Sequence, residues 1–105
     1  MAFDTPIQGG VSLAATTETS VLATTADTVA FVTVTNRSSA SVTVRLWVDT
    51  AGGGSGADAE ADLYDFPLPA NDSVKRGPFF LPNGDDIRAW ASATGITVRY
   101  DGWTP

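Results

Sequence analysis

The residues of this chain best suited to chemistry are carboxylates and arginine–tryptophan pairs. Asp58, Glu60 and Asp62 alternate ahead of Asp65, and Asp85 and Asp86 follow a turn. Such sets can hold calcium, or divide acid and base roles in glycoside cleavage. The run lacks the ligand spacing and central glycine of a calcium-binding EF-hand loop. A glycosidase needs a cleft between its two carboxyls, for which a chain of 105 residues has little room. The glycines at 52, 53, 54 and 56 are not followed by the Gly-Lys-Ser/Thr of a phosphate loop. Histidine and cysteine are absent, which removes imidazole bases, thiolate nucleophiles, disulfides, Cys/His zinc sites and iron–sulfur clusters. A serine nucleophile would have only Lys75 for a basic partner. Solvated acidity is therefore the default reading, and no catalytic residue, metal, cofactor or enzymatic activity is expected.

The arginine–tryptophan pairs point to recognition instead. Arg45 and Trp47, Arg88 and Trp90, and Thr97 and Arg99 occupy alternate positions that should face outward, so half of the six basic residues share one kind of surface. Arginine over an indole gives cation–π contacts, and the two residue types together are the composition of binding hot spots. Trp47, Trp90, Arg45, Arg88 and Arg99 are thus candidate interface residues; the competing reading is that the indoles pack beneath a covering loop. Trp103, near the C-terminus, is expected to close one end of the domain.

The elements that would carry these residues are strands. Val42, Val44, Leu46 and Val48 alternate with Thr43, Arg45, Trp47 and Asp49 over Ser41 to Asp49, and Thr28 to Thr35 is almost wholly β-branched. Residues 36–40 are turn-prone, so these two runs are expected to form an antiparallel hairpin. A second hairpin is expected from Asp86 to Ala91 and Ile96 to Tyr100 through Ser92-Ala93-Thr94-Gly95, with Ile87, Ala89, Ala91, Ile96, Val98 and Tyr100 inward. Residues 51–62 read as a mobile Gly/Ser and acidic surface loop, and Leu63 to Leu68 as an edge strand ending near Pro67. Ser73 to Lys75 and Pro78 to Leu81 supply one or two short strands, and Val11 to Leu22 a first strand. No stretch has a helical period. Met1 to Gly10 shows no alternation, and an extended arm over residues 1–15 would reach on the order of 50 Å, enough to dock Phe3 and Ile7 on a neighbouring subunit. The expected fold is all-β: a single antiparallel β-sandwich, jelly-roll or Ig-like, over 16–105, with that N-terminal arm over 1–15.

The net charge of -6 repels a phosphate backbone, so no nucleic-acid partner is expected. No apolar run has the length of a signal core or a membrane span, so a soluble chain made in the cytoplasm is expected, with no membrane partner. The feature order also resembles small tailed-bacteriophage virion structural proteins. The resemblance rests on Thr35-Asn36, Val42-Thr43-Val44-Arg45-Leu46, Leu68-Pro69-Ala70-Asn71-Asp72, Phe80-Leu81-Pro82-Asn83-Gly84-Asp85-Asp86-Ile87-Arg88-Ala89 and Thr97-Val98-Arg99-Tyr100. It implies a non-enzymatic β-sandwich that decorates the outside of a capsid, with further copies of itself (a trimer being one candidate state) and the major capsid protein as partners. The virion surface is then the expected location. The alternatives are a carbohydrate-binding or adhesive module that stacks sugars on exposed tryptophans, and a tail or baseplate component.

Overall fold

The computed structural model describes residues 2–50 and 60–105. The described residues hold eight strands: β1 (Thr5–Ser12), β2 (Thr19–Ala23), β3 (Thr28–Asn36), β4 (Val42–Asp49), β5 (Ala61–Leu68), β6 (Ser73–Leu81), β7 (Asp86–Ala91) and β8 (Ile96–Thr104). They form two four-stranded antiparallel sheets, ordered β1-β8-β3-β6 and β2-β7-β4-β5. The fold is therefore an all-β sandwich, and its strand order is that of a jelly roll. Four of the pairings are nested, β1 with β8, β2 with β7, β3 with β6 and β4 with β5. The chain thus folds back on itself between β4 and β5, and the doubled ribbon is rolled into two layers.

Alternation of side chains explains the core. Along β3 every second residue, Thr28, Ala30, Val32, Val34 and Asn36, is buried, while the residues between are only partly covered. Val32, Val34, Ile96 and Val98 from the first sheet meet Val44, Leu46, Ile87 and Ala91 from the second in one apolar cluster. Sheets packed face to face lie about 10 Å apart, and each fully buried Val, Leu or Ile contributes about 1.5–3 kcal/mol.

Both expected hairpins are absent. β3 and β4 lie in different sheets, as do β7 and β8, so residues 37–41 and 92–95 cross between layers. Asn36 organises the first crossing. Its side chain is fully buried, its Nδ2 donates to the carbonyls of Ala40 (2.8 Å) and Leu68 (3.0 Å), and its Oδ1 accepts from the Ser38 amide (2.9 Å) and hydroxyl (2.7 Å). The amide is fully satisfied where the chain leaves one sheet for the other, and it ties that exit to the end of β5.

The separate N-terminal arm is also corrected, because residues 5–12 are the edge strand β1, paired with β8 from Thr5↔Thr104 to Ser12↔Thr97. Its inward series is Ile7, Gly9 and Val11, and the glycine hides the alternation. A Cβ on Gly9 would fall 2.6 Å from the Tyr100 hydroxyl, so the missing side chain makes room for that ring. The expected first strand over Val11 to Leu22 is split between the end of β1 and β2, with Leu13 buried between them. The two short runs around residues 73–81 are one strand, β6, broken in register between Ala30 and Val32 of β3. Of the expected 51–62 loop, residues 51–59 lie outside the described residues, while Ala61 and Asp62 open β5, which sits at a sheet edge as expected.

Candidate interaction surfaces

The sandwich presents two outer faces, and strand register assigns residues to each, because directly opposed residues of antiparallel strands share a face. On the second sheet Arg45 lies opposite Trp90, and Trp47 opposite Arg88, so four of the five central candidates do come together. The Arg45 guanidinium lies 4.4 Å from the centroids of both Tyr64 and Trp90, and its Nε donates to Asp65 at 2.6 Å. Arg88 donates to Glu18 (2.5 Å) and Asp86 (3.0 Å). The hydrogen bond Arg88 donates to Glu18, opposed by burial and aided by Asp86, holds its guanidinium above the ordinary value. A cation raised in this way stabilises the fold wherever its carboxylate partners are ionised, and on the alkaline side the contribution is lost only as pH rises through the arginine range.

Trp47 departs from the exposed indole expected of it. It is only 4% exposed and lies outside the intersheet cluster, and its Nε1 has no partner among the described residues. A sugar cannot stack on a buried indole. Trp90 has one of its faces covered by Arg45, so the expected pair of open tryptophan platforms is not formed.

Four of the carboxylates singled out from the sequence are spent on structure. Asp65 holds Arg45, and Asp86 holds Arg88 and accepts from the Ser20 hydroxyl. Asp62 takes a two-bonded contact from Arg76 (2.7 and 3.1 Å), which links the edge strand of one sheet to the edge strand of the other. That contact holds Arg76 above its ordinary value. Glu60 accepts from the Thr50 amide at 2.9 Å, and Asp58 lies outside the described residues. Among the described residues no cluster of three or more potential metal ligands occurs.

Arg99 and Thr97 do not join the other candidates. They lie on β8, on the outer face of the first sheet, at the opposite side of the molecule. That face carries Phe80, the most exposed of the large hydrophobic residues among the described residues. Pro6, Trp103, Val29 and Phe80 line up across all four strands as one row. Phe80 is 74% exposed and Trp103 40%, so Trp103 stands on the face rather than closing an end of the sandwich. The next row is Gln8, Asp101 and Phe31, with the Lys75 ammonium 4.8 Å from the Phe31 ring; beyond it come Gly10, Arg99, Thr33 and Lys75.

A shallow hollow bounded by Pro6, Gln8, Asp101 and Trp103, floored by Ile7 and Gly102, opens at the β1 edge of this face. Phe80 stands at the β6 edge and also borders a cleft with Phe3, Asp27 and Leu81. The two residues expected to anchor an arm are therefore placed differently. Ile7 is a half-buried strand residue on the inward side of β1, and Phe3 is an exposed residue that borders a cleft at the chain's own β6 end.

Phe80 and Trp103 were legible as surface residues. In a strand, the adjacent pair Phe79-Phe80 must send one ring to each side, and the outward series Thr97, Arg99 continues through Asp101 to Trp103.

No protein-family model and no curated protein matches the chain. Among solved structures, it is similar to a subunit of Bacillus endospore appendages, described as a novel family of disulfide-linked pili. The identity is 20% and the TM-score 0.50, over 95% of this chain and 88% of that one, a likeness of fold.

Proposed function

We propose that the chain is a non-enzymatic structural protein that works by docking to copies of itself and to a larger assembly, as a capsid decoration protein on a virion surface. The observation that carries this reading is the apolar row of Pro6, Trp103, Val29 and Phe80, left uncovered on one sheet. A contiguous exposed row containing a tryptophan and a phenylalanine is costly to leave in water and marks a surface that another protein covers. A subunit that binds only the assembled shell raises the free energy needed to open it, which is how such a protein would act without any reaction. The likeness to a pilus subunit is in keeping with repeated self-assembly, but the disulfide linkage in that protein's description has no counterpart in a chain without cysteine.

Electron microscopy of particles incubated with the purified protein tests the reading. Regularly spaced density on the capsid surface is expected, and it should vanish with Trp103→Ala and Phe80→Ala together. Particles that remain bare with the unaltered protein would reject the capsid role. Filaments formed by the protein alone would instead support a pilus-like assembly.

A further inference from the structure

We infer that a second copy of this chain covers the outer face of the first sheet, related to the first by a two-fold axis running along the strands between β8 and β3. The inference deepens the self-docking reading by naming the surface and its symmetry.

In the apolar row the most protruding side chain, Phe80, stands at the β6 edge, while the hollow between Pro6 and Trp103 opens at the β1 edge. A two-fold axis along the middle of the sheet lays β6 of one copy over β1 of the other. Each Phe80 then enters the partner's hollow, and Trp103 comes over Val29; the same contact occurs twice, as an isologous interface requires. An axis across the strands would stack Phe80 on its own image and leave both hollows empty.

Charge and area agree with this choice. The chain as a whole carries -6, so most pairs of faces repel. The outer face of the second sheet sets Arg45 and Arg88 among Glu18, Asp65 and Asp86. The outer face of the first sheet carries Arg99 and Lys75 against Asp101 and is the less acidic of the two. Four strands of about eight residues make a face about 20 Å wide and about 27 Å long. Corrugated by side chains, such a face approaches the roughly 800 Å² per partner of a stable interface. The apolar row would be its buried centre, and Gln8, Arg99, Thr97 and Ser73 its polar rim.

The absence of native cysteine makes the test clean. Pro6→Cys and Phe80→Cys would be prepared separately and together, then oxidised mildly. Within one copy these positions lie three strand spacings apart, about 14 Å, beyond disulfide reach. A mixture of the two single variants should give a cross-linked dimer, and the double variant should give a closed dimer with no larger species. Phe80→Asp should weaken dimerisation about thirtyfold by analytical ultracentrifugation, with an unchanged circular dichroism spectrum. A ladder of higher species from the double variant would overturn the two-fold in favour of head-to-tail stacking. Self-association that survives Phe80→Asp without cross-linking would overturn the surface and leave the self-docking reading standing. An unaltered chain that stays monomeric at high concentration would sink both.

Discussion

Replacing Asn36 tests whether a single buried amide fixes the first crossing between the sheets. Its four hydrogen bonds link β3, residues 38–40 and the end of β5. In Asn36→Ala the Leu68 carbonyl keeps a 3.4 Å contact from the Ser41 hydroxyl, and the Ala40 carbonyl keeps the Ser38 hydroxyl, so the partners are weakened rather than stripped. Losing the buried bonds, each worth about 0.5–1.5 kcal/mol net, and leaving a small void should together cost about 3 kcal/mol. Asn36→Asp separates hydrogen bonding from size. The new carboxylate keeps an acceptor for Ser38 but turns a charged oxygen toward two carbonyl oxygens in a buried site, so its pKa in the folded state should rise. A carboxyl raised on folding imposes its full penalty above its folded pKa and loses that penalty as pH falls below its unfolded value. The stability gap between Asn36→Asp and the unaltered protein should therefore be larger near neutral pH than near pH 4. Urea denaturation followed by tryptophan fluorescence at both pH values measures it. A gap independent of pH, or an Asn36→Ala cost below about 0.5 kcal/mol, would refute the assignment.

Two other outcomes follow from particular contacts. A Cβ at Gly102 would overlap the Val29 carbonyl oxygen and lie 2.7 Å from the Ala30 Cα, so Gly102→Ala should force β8 away from β3 and cost more than about 3 kcal/mol; a thermal melt like that of the unaltered protein would count against the close strand approach. Arg45→Ala should uncover one face of Trp90, shift its emission to longer wavelength and cost about 1 kcal/mol, the worth of a partly exposed cation–π stack; an unmoved emission maximum would show that the stack does not persist in solution.

The strands themselves were legible because period two survives wherever apolar and polar residues alternate, as in Val42 to Leu46 and Ile87 to Ala91. What that period cannot say is which sheet a strand joins. Links of four and five residues suit a hairpin as well as a crossing, so β3–β4 and β7–β8 read as hairpins although all four strands bury their inward faces across the sandwich. The same gap misgrouped the candidate surface. Arg45 and Arg99 both point outward, as expected, but from opposite layers. β1 escaped notice because Gly9 interrupts its apolar series, and Trp47 was expected open because alternation gives the side of a sheet and not what covers it.

The nested order of strand pairs bears on how the molecule comes into being. β8 lies between β1 and β3, so a strand made after the other seven is the one that unites the first two members of its layer. Until it is made, the second sheet can form but has no complete opposing layer to shelter its apolar residues. Removing residues 96–104 would then take the keystone from an entire wall instead of trimming a rim.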